Sequence, residues 1–223
     1  MIKKIREIED IKVTFTDNEH NIVNSEIKKF VDALSPKNQS HDHYKDERNA
    51  VPGKVVKDNF LGKKAEFFVA KYFCERGFPY IRPDMEIREG GAKGWDFDLP
   101  YKQIDARLPN VHVKACNRGT INIAGNCSWT IQFANKNGVG GKDSIFDGPG
   151  DDLVVFVFME TAESNTCTIR AILPWKDVEP CLEEPRKRSL RPFKRCFSYG
   201  TTTEILKHIY KTEKVNSNYV RLY

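Results

Sequence analysis

Apolar positions recur with two different periods along this chain. From Lys63 to Arg76, Ala65, Phe68, Val69, Tyr72 and Phe73 stand mostly three or four residues apart, the spacing of one helix face. No Gly or Pro interrupts that stretch, and Gly77 suits its C-cap. Glu66 precedes Val69, Ala70 and Phe73 by three, four and seven residues, so it lies at or near the inward stripe. The earlier segment IVNSEIKKFVDAL has the same period, with Ser25 as its expected N-cap. TTEILKHIYK reads as a closing helix.

Between these helices the period changes to two. WDFDL at 95–99, NVHVKAC at 110–116 and SWTIQF alternate apolar with polar residues, as half-buried strands do. LVVFVFM at 153–159 is apolar on both faces, as a central strand should be. TCTIRAILP is a further strand, while DVEPCLEEP has no decisive pattern. The order is helices, then strands, then a helix. It predicts an α/β (α+β) arrangement, a mixed central β-sheet flanked by helices.

Composition narrows the class without naming a function. The 223 residues suffice for one domain with a real core. The 36 basic and 31 acidic residues leave a net charge of +5, which permits a nucleic-acid partner without requiring one. Six scattered cysteines form no CxxC pair and read as reduced, mostly packed thiols. The N-terminus lacks a signal-peptide core, and the longest apolar run is too short for a bilayer. The expectation is a cytoplasmic protein without a membrane partner.

Strand alternation then groups the chemistry. In 95–99, Asp96 and Asp98 share one face; in 111–116, His112, Lys114 and Cys116 share another. If these strands pair, the acids, the histidine and the lysine converge. Carboxylates hold Mg²⁺, which prefers oxygen ligands, and a bound metal polarises a phosphate and acidifies water. A lysine nearby offsets charge that develops at the phosphate. At these residues the chain resembles the PD-(D/E)XK nuclease superfamily, the restriction-endonuclease-like fold. "KGWD" resembles the opening that carries the first acid, assigned to Asp96 with Asp98 as alternate. "HVK" stands where (D/E)XK belongs, with Lys114 as the lysine. The resemblance implies Glu66 as the extra helix glutamate, the Val113 carbonyl as a metal ligand and Gln132 as a polar neighbour of the site. It implies metal-dependent hydrolysis of DNA with Mg²⁺ or Mn²⁺, and a nuclease core at about 55–175 between a helical extension (1–54) and a basic C-terminal segment (176–223).

His112 departs from the family pattern, because it replaces the second acid. Imidazole is a poor ligand for Mg²⁺ and a better one for Mn²⁺. Glu66 or Asp98 could supply the missing carboxylate, His112 could contact water or phosphate, or the site could be inactive and the protein bind DNA only. Taken singly, Asp96, Asp98 and Lys114 read better as solvated strand positions, while Glu66 reads as well as a surface helix acid and His112 as well as a structural hydrogen-bond partner; their joint spacing carries the nuclease reading. Asp84, in "RPDM", reads as a loop residue. "HDHYKDE" reads as a solvated loop rather than a ββα-metal site, and "GVGG" lacks P-loop spacing. Cys116 and Ser128 have no evident base and read as packing.

The segment PRKRSLRPFKR carries Arg186, Lys187, Arg188, Arg191, Lys194 and Arg195 around an aromatic residue. With Lys136 and Lys142 it would suit backbone phosphates. A site-specific restriction enzyme and a structure-specific or phage-type nuclease fit equally. Cutting both strands of a symmetric site would suit a homodimer. A structural or assembly protein, whose acids merely solvate a sheet, is the rival from another class.

Overall fold

Thr16 and Glu19 start the first helix by satisfying each other's backbone. The Thr16 N–H donates to Glu19 Oε2 at 2.7 Å, and the Glu19 N–H to Thr16 Oγ1 at 3.3 Å, a capping box. Helix α1 (Asp17–Ala33) therefore begins about two and a half turns earlier than a Ser25 N-cap predicts. Ser25 is an exposed mid-helix residue and not the N-cap. The buried residues Val23, Ile27 and Val31 recur every fourth position and face α2 (Pro52–Glu75). Pro52 suits the first position of α2, where its missing N–H costs nothing. The computed structural model describes residues 10–33, 52–76, 82–85, 97–98, 110–121, 128–133, 143–148, 150, 152–202 and 204–205.

The protein has a mixed α/β architecture. The central sheet runs in the order β1-β7-β6-β4, from strands β1 (Ile11–Thr14), β7 (Thr166–Pro174), β6 (Leu153–Met159) and β4 (Val111–Asn117). β4 and β6 are parallel, and the other two pairs are antiparallel. β6 is central and buried on both faces, as its uninterrupted apolar run predicts. β1, within a segment that looked weakly patterned, forms an edge of this sheet: Ile11 pairs with Ile169 and Thr14 with Thr166. The 1–54 segment, expected as a helical extension, thus contributes an edge strand as well as α1.

Two two-stranded sheets complete the described strands. β2 (Arg82–Pro83) pairs with β3 (Phe97–Asp98), and β5 (Trp129–Gln132) pairs with β8 (Lys194–Phe197), both antiparallel. β8 lies inside the basic segment, where prolines and charges hide its four-residue strand pattern. The ambiguous DVEPC stretch forms a short helix, α3 (Trp175–Val178), continuing into a 3-10 turn. Among the described residues, no helix is long and apolar enough to cross a membrane.

Apolar packing lies on both faces of the central sheet. On one, α1 and α2 cover Val111, Val155, Val157 and Ile169, with Phe15 stacked 4.0 Å from Phe68. On the other, Trp129, Phe156, Phe197 and Trp175 pack with Cys116 and Leu173. Cys116, Cys167 and Cys196 are buried free thiols; burial alone pushes Cys116 up to about 12, which keeps it an unreactive packing residue. Lys64 is wholly buried in the helical layer, with its Nζ 2.9 Å from His20 Nε2 and donating to the Ala162 carbonyl at 2.9 Å. Arg170 joins both ends of the described chain. Its Nη1 donates to Asp10 at 2.6 Å and its Nε to Thr202 Oγ1 at 3.0 Å, while Tyr199 covers the guanidinium and donates its hydroxyl to Asp10.

Candidate functional site

β4 divides the predicted site residues between two environments. Val111 belongs to the cluster under α2, and Cys116 to the cluster around Trp129. Alternation along the strand therefore sends His112 and Lys114 to the Cys116 face, away from α2. The expected pairing of the Asp98 strand with the His112 strand is not the one observed. β3 pairs with β2, and β4 aligns Val111 with Leu153 through Asn117 with Met159 on β6. β4 ends the order of the central sheet, and its described partner is β6 alone.

On the Cys116 face, two carboxylates that the sequence reading passed over meet His112 and Lys114. Lys114 Nζ donates to Asp143 Oδ2 at 2.5 Å, with both side chains mostly buried. Asp143 is the N-cap of the 3-10 turn Ser144–Asp147 and accepts from the Ile145 N–H at 3.3 Å. Its own N–H donates to the Gln132 carbonyl at 2.9 Å, so the turn is tied to β5. Burial pushes the Asp143 carboxyl up, but the Lys114 charge and hydrogen bond, with the Ile145 N–H and His112, hold it below the ordinary aspartate value.

His112 is 2% exposed, with Nε2 3.4 Å from Asp152 Oδ2. Asp152 also accepts from the Asn110 N–H at 2.8 Å and from Asn110 Nδ2 at 2.9 Å. Gly148 makes room for this network, since a Cβ there would meet Asp152 Oδ2 at 2.6 Å. The missing side chain at Gly148 thus permits this close approach. The readable signal was a pair of acids bracketing a short glycine-containing turn, "DSIFDGPGDD".

A second polar group lies on the α2 side. Glu66 is buried at 6% and accepts from Lys63 Nζ at 2.9 Å. The same Nζ donates to the Asp84 carbonyl at 2.6 Å. Asp84 immediately follows β2, and Arg82 on β2 stands opposite Asp98 on β3. Lys63 therefore ties the helix turn of Glu66 to the hairpin carrying Asp98. α2 also packs on β4, the strand of Val113. Asp96 lies outside the described residues, as does the side chain of Asp98. Among the described residues, no three His, Cys, Asp or Glu side chains cluster to hold a metal.

The basic segment adjoins this site through β5. Gln132 pairs with Lys194 and Ile131 with Arg195, while the Gln132 carbonyl holds Asp143. The Arg195 guanidinium lies 3.8 Å over the ring of Phe133, the residue after β5. Arg186, Lys187, Arg188 and Arg191 are exposed beyond it, Arg191 with Glu184 at 3.9 Å. Lys136 and Lys142 lie outside the described residues. Comparison of the chain with protein-family models, with curated proteins and with solved structures finds no match.

Proposed function

We propose that the protein is a metal-dependent DNA endonuclease with a restriction-endonuclease-like core, working at the β4 edge of the sheet. One observation carries this reading: Lys114, mostly buried with a carboxylate partner, is linked through Asp143 and Gln132 to a strand and loop rich in arginine and lysine. A fixed ammonium beside a basic rim suits a phosphodiester better than it suits a neutral substrate.

In this reading Lys114 offsets negative charge at the phosphate or orients the attacking water, and Asp143 keeps its amine charged and aimed. Glu66 stands on the α2 side of the sheet, across it from Lys114, so a Mg²⁺ or Mn²⁺ ion held by Glu66 with Asp96 and Asp98 would meet Lys114 only around the β4 edge, with the Val113 carbonyl as the main-chain candidate. The ion would supply Lewis acidity and a more acidic water. The exposed arginines hold the backbone by charge, without reading sequence. A homodimer would suit cutting of both strands.

A second reading has one specific support. His112 is buried against Asp152, so the residue in the place of the second acid serves a structural network. That favours a DNA-binding protein of the same fold without cleavage. Plasmid, linear duplex and branched DNA, incubated with Mg²⁺, Mn²⁺ or chelator, separate the two. Metal-dependent cutting reduced at least a hundredfold by Asp96→Ala and by Lys114→Ala is the expected result. Binding without cutting under every metal would establish the second reading instead.

A further inference from the structure

Phe133 is one of few large apolar side chains exposed among the described residues, at 37%. Its ring is held in place: Phe146 meets it edge-on at 5.6 Å and is itself edge-on to the buried Trp175 at 5.0 Å. The Phe133 N–H donates to the Phe193 carbonyl at 2.6 Å, which fixes the backbone as well. Arg195 lies over the ring, and its Nη1 is anchored by the Arg191 and Lys194 carbonyls at 2.9 and 3.0 Å. Among the described residues no carboxylate pairs with Arg195. A rigid exposed ring, a fixed cation on it and a basic rim around it make the arrangement that unpaired bases and their phosphates fit.

From this geometry we infer that Phe133 and Arg195 form a stacking platform for an unpaired DNA strand beside the Lys114 site. This rests on the nucleic-acid part of the proposed function and narrows its substrate to DNA with single-stranded character. In a duplex each interior base face is already stacked, so an aromatic ring finds no face to stack on and meets only groove edges, sugar and phosphate. An unpaired base offers a free face to the stacked Phe133–Arg195 pair, and the Arg195 charge lies within reach of its phosphate. Such stacking does not depend on sequence, because every base has a π-face.

The test measures binding in chelator, so that cleavage plays no part. The probes are a labelled oligothymidylate of about 12 nucleotides, within the span of a small single-strand groove, and a duplex of equal length. Phe133→Leu keeps an apolar side chain and removes the aromatic face; Phe133→Trp keeps the face. Phe133→Leu should weaken oligothymidylate binding about tenfold or more and leave duplex binding within about twofold, while Phe133→Trp binds both as the wild type does. Raising salt should weaken both probes but preserve the ratio between Phe133→Leu and wild type on the single strand. Unchanged single-strand binding by Phe133→Leu, or equal losses on both probes, would overturn the platform and leave the nuclease proposal standing. No binding to either probe by the wild type would overturn both.

Discussion

Two lysines buried on opposite sides of the same sheet show how a layer decides what a charge can do. Lys64, in the helical layer, is fully buried, and its described contacts are His20 Nε2, the Ala162 carbonyl and the Phe60 ring. Burial pulls its pKa down to about 8, and the Glu163 charge only partly opposes this. Lys114, in the opposite layer, is also mostly buried but has the Asp143 carboxylate within 2.5 Å. There the pairing dominates and holds Asp143 ionised. The first lysine is a cost that the helical core carries. The second has its opposite charge beside it, on the turn tied to β5.

The largest expected effect comes from removing the carboxylate of the second pair. Asp143→Ala should lower stability by about 3 kcal/mol, since breaking a buried pair from one side strands the other charge. Lys114→Ala together with Asp143→Ala should fall well short of the summed single losses. Denaturant titrations of the three variants decide this, and an Asp143→Ala midpoint equal to wild type would show that the pair adds nothing.

The first lysine gives a pH signature of similar size. Its folded pKa lies below its unfolded value, so between about 8 and 10.5 the unfolded chain binds more protons. Wild-type stability should therefore climb as pH rises through that window, by up to roughly 3 kcal/mol. Below pH 8 the full cost of the buried charge is present. Lys64→Met should abolish the climb in urea titrations at stepped pH. A climb that persisted in Lys64→Met would assign it to another group.

The smallest effect sharpens the contrast from the surface. The Lys71 hydrogen bond, then the Thr16 N–H, pull Glu19 from 4.5 to about 2. Its contribution is present above pH 4.5 and fades as pH falls toward 2. Its side chain is 41% exposed, so screening reduces the benefit to about 1 kcal/mol. Glu19→Gln should lose that amount at neutral pH and match wild type near pH 2, read by thermal melts across the acid range.

The same contrast explains what was legible in the sequence. β6, β7 and the core of α2 declared themselves because an apolar run or a helical period depends on burial, and burial is what packing enforces. β1 and β8 were hidden because each is four residues long, and each gains its place by pairing with a distant strand. The α1 start was written in the Thr16–Glu19 spacing but was outweighed by the attractive Ser25. At the site, the shared face of His112, Lys114 and Cys116 followed from alternation alone. Asp143 and Asp152 could not be found that way, since they arrive on a turn whose approach depends on a missing Cβ at Gly148. Only the fold brings Gln132 beside Lys194, because no local pattern links positions 62 residues apart.

The edge position of β1 also sets a schedule for synthesis. Thr14 meets Thr166, 152 residues further along. At translation speeds of about 5–20 residues per second, β1 leaves the ribosome roughly eight to thirty seconds before its partner exists. For that interval the nascent chain carries a strand whose hydrogen-bonding edges have no native mate, and the sheet can close on that side only after β7 emerges.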